Sequence, residues 1–195
     1  GFMALIIICL IIGLALAIER ILYLSFSKTN TKKLVAAVEK ALENGGIEAA
    51  KKVCRETRGP VASIFYQGLL RIDQGIDVVE KTVVSYGSVQ MSEMENGLSW
   101  IALFIAIAPS LGFLGTVIGM IQAFDAIQAA GDISPNVVAG GMKVALITTV
   151  AGLIVAMILQ IFYNYILAKI DSITIDMEDS SISLIDVLTK YSEKK

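Results

Sequence analysis

Three long stretches of this chain contain no Asp, Glu, Lys or Arg, and no other feature of the sequence limits its fold so strongly. They are residues 1 to 18 (GFMALIIICLIIGLALAI), Asn96 to Phe124, and Val144 to Ala168. A helix rises about 1.5 Å per residue, so each run covers or nearly covers a hydrocarbon core of roughly 30 Å. Within such a core every backbone N–H and C=O must be satisfied inside the segment, which for separate apolar runs of this length means an α-helix. The first run has no basic segment before it and ends in Glu19-Arg20, not in a small-residue cleavage site, so it reads as a span and not as a signal peptide. Composition agrees, since 55% of the 195 residues are hydrophobic and only 17% charged, too apolar for an ordinary soluble domain.

The segments between the runs set an orientation. Glu19 to Glu95 holds 11 of the 16 basic residues, with Arg20, Lys28, Lys32 and Lys33 close to the end of the first run. Positive charge beside a span marks the cytoplasmic side. The connection 125–143 has one basic residue and the turn formers Gly131, Pro135 and Gly140-Gly141, so it is expected outside. The tail 169–195 carries four lysines and returns to the cytoplasm, with the N-terminus out and the C-terminus in. The expected organisation is spans at 1–18, 96–124 and 144–168, a cytoplasmic region at 19–95 and a cytoplasmic tail at 169–195.

That cytoplasmic region has helical periodicity. Leu34, Val35, Val38, Ala41 and Leu42 recur at helical spacing until Asn44-Gly45-Gly46, and a second segment, Ile47 to Arg55, stops before Gly59-Pro60. A third runs from Val61 to Ile72. From Asp77 no glycine pair or proline intervenes before Pro109, which predicts one long helix rising straight into the second span. Ile170, Ile173, Met177, Leu184 and Leu188 continue a stripe beyond the third span. The fold class is all-α, an integral membrane protein with three transmembrane helices, the second and third extended into the cytoplasm.

Several functions are excluded or disfavoured. There is no histidine, which removes Ser-His-Asp and Cys-His sites, His-based metal sites and the commonest general base. A net charge of −2 lacks the basic footprint of a nucleic-acid binder. Cys9 lies in an apolar run and Cys54 in a charged segment, so no disulfide is expected. No cofactor and no enzyme activity are expected either, because no cluster of acids, cysteines or histidines lies inside the spans.

The spans instead carry small-residue faces. Ala102, Ala106, Pro109, Gly112, Thr116, Gly119 and Ala123 follow each other at steps of three or four in the second, and Ala145, Thr149, Gly152, Ala156 and Gln160 in the third. Such faces pack helices closely in lipid, and a membrane threonine can satisfy its hydroxyl on its own helix. They fit equally a narrow polar pathway lined by Thr116 and Thr149. Neither run holds a titratable acid, base or histidine, so any ion crossing here needs a charge from a partner. Glu19 beside Arg20 reads as an ion pair at the end of the first span.

The segment APSLGFLGTVIGMIQAF, Ala108 to Phe124, resembles the signature of the MotA/TolQ/ExbB proton-channel family. Gly141 to Tyr163, with ALITTVAGLIVA at its centre and Tyr163-Asn164 at its end, is similar to that family's third span. Ile18-Glu19-Arg20, and Gly46 to Cys54 followed by Pro60, look like the ExbB/TolQ branch. By position, Thr116 and Thr149 match the two pore threonines that face a partner's aspartate, while Pro109, Gly112, Gly119, Ala145, Gly152 and Ala156 are, from the small-face spacing, the pore-facing or close-packing candidates. Val144 stands where many relatives have glutamate, and Ile158 where many have a kinking proline. The resemblance implies a homopentamer in the bacterial inner membrane, N-terminus periplasmic, around ExbD- or TolR-like single-span helices that supply the aspartate. Proton flow would then drive rotation and work on a TonB- or TolA-like envelope protein. A passive membrane scaffold that holds such a partner without conducting is the alternative.

Overall fold

The computed structural model describes residues 1–131 and 135–195, leaving aside the side chain at 137. Its helices are α1 (Phe2–Ser27), α2 (Thr31–Glu56), α3 (Pro60–Leu69), α4 (Ile76–Met94), α5 (Leu98–Ala130) and α6 (Pro135–Glu193), with one 3₁₀ turn at Ile72–Gln74. No strand occurs among the described residues. Three helical stretches are long and apolar enough to span a membrane. Of the connection expected at 125–143, residues 132–134 lie outside the described set, and the rest is largely helical as the end of α5 and the start of α6. At 59 residues α6 is far longer than the roughly 20 that cross a bilayer, so it extends well beyond its apolar run.

The chain divides into two compact units, one of residues 1–20 with 97–166, the other of residues 21–96 with 167–195. The first contains the apolar runs. Its core joins Ile6 of α1, Ala108 of α5 and Val155 and Leu159 of α6, with Leu10, Leu14, Phe104, Ile105, Leu111 and Ala151 packed around them. Gly13 is what lets α1 approach, since a Cβ there would lie 2.7 Å from Cδ2 of Leu159. Leu103, Leu114, Leu146, Ile147, Leu153 and Ile154 face outward, whereas Phe104 turns in to the core. Arg20, almost buried, donates from Nε and Nη2 to the two carboxylate oxygens of Glu19 at 2.6 Å each.

The second unit is a soluble-type helical bundle. The Asn30 side chain caps α2 by accepting from the Lys33 N–H. Leu34, Val38 and Leu42 are buried at one-turn intervals until Gly46, whose φ of +74° kinks the helix, and Ala50 and Cys54 take over beyond it. α3 packs against both α2 and α4. Its Gly68 sits against Val79 and Val83 of α4 and against Leu184, so a larger residue there would wedge the bundle apart. The stripe Ile170, Ile173, Met177, Leu184 and Leu188 is buried throughout.

One sequence expectation needs correcting. The helix starting near Asp77 does not run uninterrupted into the second span: α4 ends at Met94 and α5 begins at Leu98, with Gly97 left-handed at φ +85°. Asn96-Gly97 is a turn-forming dipeptide, and a single left-handed glycine suffices to end a helix without a proline or a glycine pair. The third helix also ends earlier than Ile72, at Leu69.

Burial pushes the Cys54 thiol up to about 12. Since the thiolate is the reactive form, Cys54 in the native protein should alkylate with iodoacetamide at pH 8 at least ~100-fold more slowly than in the denatured chain. The unfolded chain loses this proton first, so the same group should reduce stability as pH rises from about 9 toward 12. Equal alkylation rates in both states would contradict the packing of α2.

Candidate functional site

The polar centre of the apolar unit arises where α5 and α6 come closest. At Gly112 a Cβ would lie 2.9 Å from the Thr148 carbonyl oxygen and 3.1 Å from Cα of Thr149. At Gly152 it would overlap the Ala108 carbonyl oxygen. Gly119 faces Ala145 with 2.8 Å between a would-be Cβ and the alanine Cβ, and Gly115 faces the Thr148 hydroxyl at 2.9 Å. Only glycine allows backbone against backbone at these levels, and such contact supplies the dispersion attraction that holds helices together in lipid.

This approach brings Thr116 and Thr149 together. Their hydroxyls are hydrogen-bonded to each other. The Thr116 hydroxyl is also 3.0 Å from the Ala145 carbonyl oxygen on the opposite helix and 3.2 Å from that of Gly112 on its own. Reciprocally, the Thr149 hydroxyl lies 3.2 Å from the Gly112 carbonyl oxygen and 3.4 Å from that of Ala145. Two hydroxyls and two carbonyls thus form a closed group of four oxygens across the contact. Each hydroxyl has one proton to donate and two lone pairs to accept with, so the pair can donate to the carbonyls or turn a donor toward a third group. Both threonines are half-buried.

Thr148 is different. It is buried, and its hydroxyl donates to carbonyls of its own helix, at 2.6 Å to Ala145 and 3.4 Å to Val144. The other expected site residues divide in two groups. Gly112, Gly119, Ala145 and Gly152 lie in the α5–α6 contact, so in this chain those faces seal against each other and do not open on a cavity between them. Pro109 and Ala156 are half-buried beside it. Sequence reading missed Ala108, Gly115, Thr148 and Val155, all buried. On α6 the contact follows 141, 145, 148, 152, 155 and 159, alternating steps of four and three. That heptad-like rhythm was the signal that could have identified Thr148 and Val155. Ala106, placed on the small face from its spacing, is exposed.

Val144 is 65% exposed and brings no carboxylate to its position. No group of three or more His, Cys, Asp or Glu side chains converges among the described residues. The arrangement can offer hydrogen bonds to a charge but cannot supply one.

The model of the MotA/TolQ/ExbB proton channel family matches residues 56–179, well over half of the chain. This chain belongs to that family. Among curated proteins it is 36% identical to a biopolymer transport protein ExbB homolog of Methanothermobacter thermautotrophicus, over 93% of this chain and 63% of that protein. It is 46% identical to the biopolymer transport protein exbB1 of Vibrio cholerae over 34% of this chain and 30% of that one. Similarity to the Tol-Pal system protein TolQ of Haemophilus influenzae is 31% over 45% of this chain and 38% of that one. The chain therefore spans less than two thirds of the length of each of these relatives. The family match covers both faces of the threonine pair, and the names ExbB and TolQ identify the branch.

The contact makes a prediction for this family member. Gly152→Ala, which drives a methyl into a carbonyl, should destabilise the protein by about 1–3 kcal/mol, read by thermal unfolding in detergent. Gly140→Ala meets nothing within 4 Å and should cost no stability. A Gly152→Ala protein as stable as its parent would mean that α5 and α6 do not meet this way.

Proposed function

We propose that this chain is the ExbB/TolQ-like subunit of an ion-driven motor that couples the proton gradient of the inner membrane to mechanical work on a TonB- or TolA-like envelope protein. The observation that carries this reading is the meeting of the Thr116 and Thr149 hydroxyls between two spans that hold no Asp, Glu, Lys, Arg or His. The printed names of the relatives, biopolymer transport and the Tol-Pal system, support it.

In this mechanism a single-span ExbD- or TolR-like helix brings an aspartate. Desolvation raises the pKa of such a carboxyl, so it takes up a proton while buried in apolar surroundings. Opposite the threonine pair, a hydroxyl that leaves its carbonyl acceptor and donates to the carboxylate favours the charged form, and the proton departs. Each such exchange of hydrogen bonds involves about 1 kcal/mol, small enough to be reversed in every cycle. Several copies, a homopentamer by resemblance, surround the partner helices, with the N-terminus periplasmic and the C-terminus cytoplasmic. Exposed Phe113, Phe124 and Ile161 are apolar surface suited to lipid or neighbouring copies.

One observation favours a second reading. The four oxygens already satisfy one another, which is also what a packing clamp needs, and a passive scaffold would use them so.

Thr116→Val and Thr149→Val keep shape and remove the hydroxyl. In the conducting reading each should abolish gradient-driven activity while leaving assembly intact. Thr148→Val should be milder, because that hydroxyl binds only its own helix. Asp→Asn in the partner's span should also abolish activity. Full activity in the Thr116 and Thr149 variants would leave the scaffold.

Orientation is tested separately with an impermeant thiol reagent. A cysteine at Lys33 should react only from the cytoplasmic side, and one at the exposed Gln128 only from the other. The opposite labelling would invert the proposed direction of proton flow.

A further inference from the structure

The third apolar run carries two side chains that its lipid-spanning role does not explain. Gln160 and Asn164 are both exposed, and the Gln160 Nε2–H donates to Asn164 Oδ1 at 3.0 Å. They lie within the charge-free run 144–168, Gln160 about 6 Å from its midpoint along the helix. Their mutual bond leaves the Gln160 carbonyl without a donor and the Asn164 amide N–H groups without an acceptor among the described residues. Exposed amide groups at that depth need water or a polar neighbour, because lipid tails offer neither.

Their position on the helix says which. At about 100° per residue, Gln160 lies about 20° from Thr149 around the axis and about 16 Å further along it. Ala156 lies about 20° to the other side, and Asn164 about 60° away at the next turn. Between the threonine level and Asn164, this strip of α6 therefore begins and ends in polar groups, with Ala156 and the exposed Leu153 between them. Neutral amides suit passage of a proton through water: they accept from and donate to water molecules, do not take up the proton at neutral pH as a carboxylate would, and do not repel it as a lysine would.

We propose that Gln160 and Asn164 hold a file of water that carries the proton between the Thr116–Thr149 level and the Lys169 end of the span. One water donates to Gln160 Oε1, another accepts from Asn164 Nδ2, and the proton moves along the waters with no bond to either amide made or broken. This rests on the conducting reading proposed above.

The experiment places single cysteines at Gln160, Asn164 and Ile161, in membranes of cells that carry the whole complex, and measures labelling by N-ethylmaleimide. That reagent crosses bilayers but reacts with the thiolate, which forms only where water reaches. The parent chain's two buried thiols set the background. Gln160→Cys and Asn164→Cys should label at least ~10-fold faster than Ile161→Cys, whose position is 71% exposed and lies about 100° from Gln160 and about 60° from Asn164 around the helix. Gradient-driven activity should fall at least ~10-fold in Gln160→Leu and survive in Gln160→Asn, which restores an amide. Labelling no faster than at Ile161 overturns the proposal, since it would mean that the amides bind a protein neighbour or lipid headgroups without a water file. So does full activity of Gln160→Leu. If Gln160→Leu does not assemble, the labelling rates alone decide. Fast labelling with full activity in Thr116→Val and Thr149→Val would keep the water file and remove the threonines from the pathway.

Discussion

Backbone contact between α5 and α6 at Gly112 and Gly152 determines most of what the apolar unit can do. In water, two apolar helices associate because burial removes surface from solvent. In lipid that drive is absent, and van der Waals contact together with interhelical hydrogen bonds must suffice. Glycine provides both here. Without a Cβ at 112 the backbone of α5 reaches the Thr148 carbonyl, and at the same level the Thr149 hydroxyl comes within 3.2 Å of the Gly112 carbonyl oxygen. A side chain at either glycine would separate the helices, and the threonine hydroxyls would then return to their own helices.

The second unit follows the opposite rule and was correspondingly easier to read. It folds by burying Leu34, Val38, Leu42, Phe65, Leu69 and Leu184 among polar surroundings, so its apolar positions stand out against charged neighbours at helical spacing. Helix ends were less legible. Gly46 and Gly59-Pro60 marked real changes of direction, with φ of +74° at Gly46 and +116° at Gly59. Gly97 acts in the same way but stands alone after Asn96, and its effect depends on a left-handed conformation that composition alone does not display.

In the apolar unit the sequence identified the right helices and blurred their faces. When nearly every residue is apolar, hydrophobic periodicity vanishes and only residue size remains as a signal. Gly112, Gly119, Ala145 and Gly152, which size marks in the sequence, lie in the α5–α6 contact, but size could not separate Ala106, which is exposed, from Ala108, which is fully buried. What separates them is the facing helix, because the Ala108 carbonyl oxygen lies against Gly152 of α6. Whether a small face closes on its neighbour or opens on a partner depends on the facing surface, which a single sequence does not contain.

The departures at Val144 and Ile158 have a joint consequence for how such a subunit moves. α6 is helical without interruption from Pro135 to Glu193, and position 158, where many relatives have proline, keeps its backbone N–H and its side chain half-buried. A helix with a complete hydrogen-bond ladder at this level has no local hinge, because kinks arise where a proline or an inserted group frees a carbonyl. With Val144 exposed and uncharged, the first turn of the run also has no carboxylate whose titration could move it. In the proposed motor, displacement within the span is then left to whole helices sliding or turning at the α5–α6 contact, or to the partner helix turning against them. The backbone-to-backbone packing at Gly112 and Gly152 opposes the first far more strongly than the second. In the proposed motor, a partner that carries the charge and turns against a comparatively stiff wall is therefore the motion that this packing favours.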